Sequence, residues 1–506
     1  MTQRPGETGA TPAPGAVAGQ AAEQSDRRRL ALGLFLVSAA QFTLQLDFSI
    51  VNVALATIQR EFGVSAVDLQ WIVTGYALPF GALLLLGGRL GDLTGHRRLL
   101  IGGLGLFGVT SLLAGLAPDS GVLIAARFAQ GASAALVAPM ALAAITDLFP
   151  DGPGRARALG IFQGATAAGA SAGIVVGGIL TEYAGWRAIF LVNPPVIAVL
   201  AAAMLRLLPR ERPPGSGRAA AGGGGLDVAG AVLVTASVAA LIYGLSQGQQ
   251  RGFAAPATVA ALAAAAVLAA AFVFAERRVP APMVPARVLA GTSRRAALGA
   301  MFLLASVVVG YVYFVTLYMQ QVLHFSALRA GLGLLPSTLT VLVTSTWLAR
   351  RLVARFGTRA VLAGGLVSIG LGQVWLAQLS VSGSYAVNVL PGVLLTSFGM
   401  GLLFPTIAVT VTSGVEPGDR GLAGGLLAAS QQVGMAVGLA VLATVAAARS
   451  HAVTGPAAVA LVSGYRLSFW VAAGIAACAL AVVLLLLRGS RPPAGQPPAR
   501  QPSSAR

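Results

Sequence analysis

The amino-acid sequence predicts an all-α membrane protein of about 14 transmembrane helices, with two six-helix halves and two inserted central helices. The first reason is composition: of 506 residues, 56% are apolar and only 10% are charged, and the mean hydropathy is +0.80. A water-soluble domain carries about 25% charged residues, so this chain lacks the polar surface that water requires. Lipid is the solvent that this composition favours.

The second reason is the spacing of long apolar runs, since a spanning helix needs about 20 mostly apolar residues. Runs that qualify are centred near Phe42, Pro79, Phe107, Ala134, Ala170, Val196, Ala236, Ala265, Val309, Leu339, Ile369, Gly399, Val433 and Ala477. All 34 basic residues are arginine, a usage typical of a GC-rich bacterial genome. Of these, 25 lie in segments on the side of the N-terminus and 6 lie in the opposite loops, with Arg4, Arg89 and Arg127 left out of the comparison. The positive-inside rule therefore predicts a multi-pass protein of the bacterial inner membrane with both termini in the cytoplasm.

The third reason is an internal repeat. The segment GRLGDLTGHRR, residues 88–98, has a diverged copy, RRLVARFGTRA, that begins 262 positions later. A second pair, around Pro139 and Pro405, is separated by 266 positions. Two matches at nearly one offset indicate homologous halves, and the offset leaves room for two further helices between them. The expected parts are a disordered cytoplasmic tail, an N-terminal six-helix bundle, a linker with two inserted helices, a C-terminal six-helix bundle and a second disordered tail, at residues 1–26, 27–208, 209–280, 281–488 and 489–506.

Charge and reactive residues exclude several classes of function. The net charge of +18 does not predict nucleic-acid binding, because the arginines form short clusters between apolar runs and no continuous stripe. The single cysteine, Cys478, excludes a disulfide framework, and the scattered His96, His324 and His451 do not form a metal site. No nucleophile–base pair is evident. We therefore expect neither an enzyme nor a channel, and neither a metal nor a cofactor.

Two ionisable residues lie inside predicted spans. Asp47 is in the middle of the first span, where a charge costs about 2.5–3.5 kcal/mol on insertion scales. Such a carboxyl is a candidate for taking up and releasing protons; the alternative is a structural hydrogen-bond partner for Asn52 or Gln70. Arg127 is the only arginine well inside a span, so it must face a cavity or a partner. A fixed structural ion pair is the alternative there.

The loop between the second and third spans is a candidate gate. Its glycines allow a tight turn, and Asp92 can cap a helix N-terminus in the other half. One of its two consecutive arginines is expected to pair with Asp147 at the end of the fourth span. Contacts of this kind hold one face of a transporter shut and break in the other state. The alternative is a positive loop that only sets topology. The candidate gate residues are Gly88, Asp92, Gly95, Arg97, Arg98 and Asp147.

The second half differs from the first in its charge. Between residues 296 and 450 the predicted spans contain no acidic residue, so proton handling is assigned to the first half by elimination. Where the first half has Asp92, the copy has Ala354. Polar and aromatic side chains of both halves are candidates for a substrate cavity: Asn52, Gln70, Tyr76, Gln130, Tyr318, Gln321 and Gln431.

The motifs, taken in order, resemble the fourteen-helix drug:proton antiporter branch of the major facilitator superfamily. They are LDFSIVNVALATI from Leu46, QWIVTGYAL from Gln70, GRLGDLTGHRR from Gly88, RFAQGASAA from Arg127, GWRAIFLVNPP from Gly185, YMQQVLHFSALRAGLGLLP from Tyr318 and GLAGGLLAASQQVGMAVGLAV from Gly421. The resemblance implies that Arg127 is the helix-4 arginine implicated in proton transfer. One motif departs from the family: GIVVGG, residues 173–178, has Ile174 where antiporters usually have proline. Its small residues still predict close helix packing.

The resulting expectation is proton-coupled efflux of amphipathic small molecules, such as drugs, antibiotics or secondary metabolites, by alternating access. The proton gradient would supply the energy, and the partners would be the substrate, protons and the lipid bilayer, with no nucleic acid. We expect a monomer. The alternatives are proton-coupled uptake or metabolite transport by the same fold, which Ile174 leaves open, and a membrane sensor that does not transport.

Overall fold

The computed structural model describes residues 14–63, 66–149, 152–208, 227–279, 282, 284–289 and 291–487, which form helices, turns and loops without a strand. The first half contains α1 (Pro14–Phe62), α2 (Ala66–Thr94), α3 (His96–Gly115), α4 (Ser120–Leu148), α5 (Pro153–Ala184), α6 (Ala188–Leu191) and α7 (Asn193–Leu207). The inserted pair is α8 (Val228–Arg251) and α9 (Pro256–Glu276). The second half contains α10 (Ala286–Leu289), α11 (Thr292–Leu317), α12 (Ala327–Gly333), α13 (Leu335–Val343), α14 (Ala349–Leu376), α15 (Leu390–Thr412), α16 (Arg420–Ala452) and α17 (Ala457–Leu486). Three π-helical turns and a 3-10 turn join them, at Tyr318–Val322, Thr344–Leu348, Tyr385–Val389 and Pro417–Asp419.

The number of membrane crossings agrees with the sequence. Among the described residues, 13 helical segments are long and apolar enough to span a bilayer. One of them, Arg329–Leu376, has 48 residues, and a helix of that length would extend about 72 Å, more than twice the roughly 30 Å hydrocarbon core. Gly357 lies inside it with φ 82, a non-helical conformation that bends the chain. This segment therefore crosses twice, which brings the total to the 14 crossings that the hydropathy predicts.

The N-terminal prediction needs a partial correction. Residues 1–26 are predicted to be a disordered tail, whereas α1 already begins at Pro14. Alanine, glutamine and glutamate in this stretch have high helix propensity, and adding residues to an existing helix needs no new nucleus. The extension of the first spanning helix explains the difference. Residues 1–13, the segment 209–226 and the predicted tail 489–506 lie outside the described residues.

Helix packing follows the small residues. Within the first half, α1 packs on α5, α2 on α4, and α3 on both α4 and α7. A Cβ added to Gly169 or Gly173 of α5 would lie 2.5 or 2.6 Å from a backbone oxygen of α1, so only glycine allows this contact. The close packing predicted for the small face of α5 is confirmed. The halves meet where α2 packs on α16 and α5 packs on α13, and α8 lies against both α2 and α16.

The internal repeat is visible in the geometry of its two copies. Gly95 and Gly357 both adopt positive φ, at 102 and 82. Arg97 donates to a carbonyl in the last turn of α7 over 2.7 Å, and Arg359 donates to one in the last turn of α17 over 2.7 Å. Each half therefore uses the same glycine turn and the same arginine contact to hold its third and sixth spans together.

Candidate functional site

The buried carboxylate of Asp47 lies at the centre of a polar network in the first half. Asp47 is 0% exposed. Its Oδ2 accepts a hydrogen bond from Arg127 Nη1 over 2.8 Å, which is also an ion pair. Its Oδ1 accepts from Gln130 Nε2 over 2.9 Å and from Asn193 Nδ2 over 2.7 Å. Three donors from α4 and α7 thus converge on one carboxylate of α1.

The guanidinium of Arg127 is equally buried and has further partners. Its Nε donates to the Ile72 carbonyl of α2 over 3.1 Å, and its Nη1 also donates to Gln130 Oε1 over 2.6 Å. The Tyr76 ring lies against it, with 4.3 Å from Cζ to the ring centroid, a cation–π distance. A charge in a low-dielectric interior is tolerated when it is paired and hydrogen-bonded. Both charges of this site meet that condition.

Asn193 is a member of the site that the sequence reading missed. Its Nδ2 also donates to Ser111 Oγ over 3.0 Å, and Ser111 in turn donates to the Phe190 carbonyl over 2.9 Å. The bond to Ser111 orients the amide so that its other hydrogen points towards Asp47. The available signal was a single amide inside the apolar run IFLVNPP, because a polar side chain within a span needs a partner.

Three candidate cavity residues are buried, and the structure corrects their assignment. Tyr76 and Gln130 are at most 2% exposed and belong to the Asp47–Arg127 network, so they do not line an open cavity. Tyr318 is fully buried, and its hydroxyl donates to the Ser380 carbonyl over 2.6 Å. The physical reason is shared: a polar group inside the bundle is stabilised by a protein partner, and these three have found one.

The remaining cavity candidates are not brought together. Gln321 is exposed and accepts from the Tyr465 hydroxyl over 2.7 Å, within the second half. Gln431 is half-buried on α16. The side chains of Asn52 and Gln70, which the sequence offered as alternative partners of Asp47, lie outside the described residues. The partners that the structure describes for Asp47 are Arg127, Gln130 and Asn193.

A second network joins the two halves at one end of the bundle, which we call the Asp92 end. Asp92 lies in the last turn of α2, and α16 begins at Arg420. Asp92 Oδ1 accepts from the Gly421 backbone N–H over 2.8 Å, and Oδ2 accepts from that of Leu422 over 2.9 Å. The carboxylate therefore caps the N-terminus of a helix in the other half, as the sequence predicts, where the helix dipole favours negative charge.

His96 extends this network and replaces the predicted arginine contact. Its Nε2 lies 2.9 Å from Asp92 Oδ1 and its Nδ1 lies 2.7 Å from Asp147 Oδ2. Because both ring nitrogens face carboxylate oxygens, a doubly protonated imidazolium satisfies both contacts. Asp147 Oδ1 accepts from Arg420 Nη1 over 2.5 Å. The chain Asp92–His96–Asp147–Arg420 thus crosses from one half to the other.

The prediction that Arg97 or Arg98 pairs with Asp147 was wrong. Arg97 contacts α7, and Arg98 is exposed. The turn at Gly95 starts α3 at His96, and successive helical residues point about 100° apart, so only His96 faces back towards α2 and α4. The available signal was a histidine directly after the turn glycine Gly95 and close to Asp92 in the chain.

Two further features close the Asp92 end. Asp419 is buried and accepts from Arg287 over 2.8 and 3.2 Å, and Arg89 of α2 lies 3.8 Å from it. A Cβ added to Gly88 would lie 2.5 Å from the Gly421 oxygen, and one added to Gly421 would lie 2.4 Å from the Gly88 oxygen. The backbones of α2 and α16 are therefore in direct contact, which only glycine at both positions permits.

The opposite end of the first half is held by Glu61 at the end of α1. Glu61 accepts from Trp186 Nε1 over 2.6 Å and forms an ion pair with Arg187. Arg187 also donates to the Ala117 carbonyl over 3.2 Å. Three chain segments meet in this contact. Hydrogen bonds from Arg187 and Trp186 hold the pKa of Glu61 below its ordinary value of 4.5.

The lowered pKa predicts a pH-dependent stability. The contribution of Glu61 is complete above its unfolded pKa and is lost as the pH falls below about 4.5 through the folded value. Because the pair is well exposed to water, we expect Glu61→Gln to lower the unfolding free energy by less than ~1 kcal/mol at pH 7. Thermal melts of the purified protein at pH 7 and pH 3.5 measure this. An equal difference between the two proteins at both pH values would contradict the pairing.

Comparison with known proteins identifies the family. The family model of the Major Facilitator Superfamily matches residues 37–439. The chain is 40% identical over 415 residues to a cephamycin export protein of Amycolatopsis lactamdurans, covering 81% of this chain and 84% of the relative. It is 37% identical over 456 residues to a puromycin resistance protein of Streptomyces alboniger, covering 88% of each, and 34% identical over 434 residues to a lincomycin resistance protein of Streptomyces lincolnensis, covering 84% and 86%.

Solved structures share the fold. A human organic anion transporter matches with a TM-score of 0.61 at 17% identity, covering 90% of this chain and 99% of that one. The superfamily transporter FucP in its outward conformation matches with a TM-score of 0.54 at 14% identity, covering 89% and 99%. The matched residues, the relatives and the helical architecture lead to one conclusion: the chain belongs to the Major Facilitator Superfamily.

Proposed function

We propose that this chain exports amphipathic small molecules, antibiotics among them, in exchange for protons. The observation that carries the proposal is the buried Asp47–Arg127 pair, an ionisable carboxylate inside the first-half bundle. The relatives named for cephamycin export and for resistance to puromycin and lincomycin support efflux. The chain would move its substrate unchanged, without enzymatic chemistry.

The network suggests how one proton changes the site. Protonation of Asp47 at Oδ2 removes its negative charge and its attraction to Arg127. The guanidinium then keeps the Gln130 and Ile72 oxygens as acceptors, so it stays partly satisfied while the carboxyl is released. Substrate and proton would occupy the site in alternation. The membrane potential contributes about 2.3 kcal/mol per charge per 100 mV to this exchange.

The Asp92 end supplies the gate. We propose that residues 27–208 and 281–488 move against each other as two bundles, and that the α2–α16 contact holds them together in the closed state. The excess of arginines at the Asp92 end supports a cytoplasmic location of that end. The contacts of Asp92 with Gly421, of Asp147 with Arg420 and of Asp419 with Arg89 would break when the site opens to the cytoplasm.

Uptake with protons is the second candidate. It is favoured by Ile174, which replaces the proline usual in antiporters and leaves α5 continuous from Pro153 to Ala184. The two candidates differ only in the direction of flux. Inverted vesicles distinguish them, since an exporter accumulates its substrate there when the interior is acidic.

Drug sensitivity and vesicle flux together test the proposal. Expression in a sensitive bacterial host is expected to raise the inhibitory concentration of at least one of cephamycin, puromycin and lincomycin. Inverted vesicles that contain the chain are expected to accumulate that compound and to lose their proton gradient when it is added. A host and vesicles that respond to none of the compounds would contradict export, and accumulation without proton movement would contradict the coupling.

A further inference from the structure

A chain of hydrogen bonds runs from a break between two helices to the carboxylate of Asp47. The break separates α6 from α7, where Pro194 follows Asn193. A helical carbonyl ordinarily accepts from the N–H group four residues later. For the Phe190 carbonyl that residue is Pro194, which has no N–H, and the Ser111 hydroxyl of α3 donates to it over 2.9 Å. The break therefore supplies an acceptor that fixes the direction of the Ser111 hydroxyl.

The direction of this hydroxyl decides which atoms of Asn193 face Asp47. A serine hydroxyl has one hydrogen, and that of Ser111 is used on the Phe190 carbonyl. Ser111 Oγ can therefore only accept from the amide. The amide nitrogen Nδ2 lies 3.0 Å from Ser111 Oγ and 2.7 Å from Asp47 Oδ1, so both of its hydrogens are used. Asn193 thus faces the carboxylate as a donor, in a site where these three side chains are at most 1% exposed.

A neighbour that can only donate distinguishes between the two protonation states of Asp47. A carboxylate accepts hydrogen bonds at both oxygens, whereas a protonated carboxyl group carries an O–H that needs an acceptor. The amide of Asn193 stabilises the first state and offers no acceptor to the second. A hydrogen bond to the charged form of a group favours that form. The amide therefore opposes proton uptake at Asp47 without carrying a charge of its own.

The other groups around Asp47 differ from Asn193 in this respect. Among the described residues, its charged neighbour is Arg127 of α4, and the titratable side chain that lies against this guanidinium is Tyr76 of α2. The helix α5 packs on this stretch of α1 through glycines such as Gly169, which add no charge. Gln130 binds Arg127 as well as Asp47, so a change there disturbs the ion pair itself. A change in the Asn193 amide leaves both charges of the pair in place.

We propose that Ser111 and Asn193 are positioning residues that set the pH at which Asp47 takes up its proton. Ser111 holds the amide in one orientation, and the amide holds the carboxylate in its charged form. Proton uptake then costs the bond from Asn193, so it requires a lower pH than it would without this bond. In the exchange, such a group releases its proton readily into the less acidic cytoplasm. This inference rests on the proposed function, because it assigns the regulation of the same site.

Infrared difference spectroscopy of the purified full chain at a series of pH values tests the proposal. The C=O stretch of a protonated carboxyl group that is present in the parent and absent from Asp47→Asn reports the protonation of Asp47. Asn193→Leu is expected to move the midpoint of this band to higher pH by about 1–2 pH units, the effect of losing one hydrogen bond to a charged group. Ser111→Ala should move it in the same direction by about 0.5–1 pH unit, because the amide can then rotate.

Two variants of α3 serve as controls. Thr110→Val replaces the neighbouring hydroxyl, which donates only to carbonyls of its own helix over 2.9 and 3.0 Å, and should keep the midpoint of the parent. Ser111→Thr retains a hydroxyl at the site and should keep it as well. Where Asn193→Leu does not fold, Ser111→Ala carries the test, because it removes a single oxygen atom.

A midpoint that stays constant or moves to lower pH in Ser111→Ala would overturn the proposal. An equal shift in Thr110→Val would overturn it as well, since it would reflect a general loosening of α3. The spectrum needs neither substrate nor a proton gradient. A shifted midpoint in a protein that exchanges nothing would therefore support the role of Ser111 and Asn193 while contradicting the proposed function, and exchange with a constant midpoint would do the reverse.

Discussion

Asp47→Asn is expected to reduce substrate-driven proton movement by about 100-fold or more, the range that a positioned proton-transfer group contributes. The amide cannot gain or lose a proton at neutral pH, so the side chain at position 47 can no longer carry the proton that is exchanged for the substrate. Purified protein in liposomes with an internal pH dye measures the flux when substrate is added. The matched control is Glu182→Gln, which neutralises an exposed acid at the far end of α5 and should leave the flux unchanged.

The same substitution is expected to destabilise the protein. Three N–H donors, from Arg127, Gln130 and Asn193, converge on the two oxygens of Asp47. Asparagine has only one oxygen that can accept these bonds, and its own N–H donors would face another donor. Arg127 would also lose its counter-ion. Breaking a buried pair in this way costs about 3–5 kcal/mol.

The double variant Asp47→Asn/Arg127→Gln separates stability from coupling. It removes the unpaired cation, so melting temperature should recover towards that of the parent while proton movement stays absent. Substrate-driven proton movement in a folded Asp47→Asn protein would show that another group carries the proton.

Asp92→Asn is expected to open the Asp92 end. The carboxylate accepts from two backbone N–H groups of α16 and from His96, and the neutral amide has one acceptor oxygen and no charge at the helix N-terminus. Losing such a charged hydrogen bond costs about 1.5–3 kcal/mol, which shifts the closed–open equilibrium roughly 10- to 100-fold. Spin labels on Thr94→Cys and Gly418→Cys, with Cys478→Ser, report the separation of the halves by pulsed electron resonance.

Two variants make this measurement specific. Arg98→Gln removes an exposed charge of the same loop and is expected to leave the distance distribution unchanged. Gly88→Val places side-chain atoms where the Gly421 backbone lies, so it should populate the long distances as Asp92→Asn does. A distance distribution that stays short in both Asp92→Asn and Gly88→Val is incompatible with a gate at this contact.

Properties that depend on local sequence were predictable. Hydropathy set the helix count, because each span must by itself satisfy its backbone hydrogen bonds and bury apolar side chains. The need of Asp47 and Arg127 for a partner was also predictable, since a charge inside an apolar run is stabilised only when it is paired. The cap by Asp92 followed from an acid and two glycines next to a turn.

The identity of the partners was decided by the tertiary structure. Asn193 reaches Asp47 across 146 positions, and Arg420 reaches Asp147 across 273. Tyr76 and Gln130 appeared as cavity residues because sequence shows polarity but not direction, and packing turned them towards Arg127. The sequence by itself determined how many helices cross the membrane and which of them carry charge. Only the packing of those helices decided which charges meet, because such contacts depend on rotations and distances between segments that no local pattern encodes.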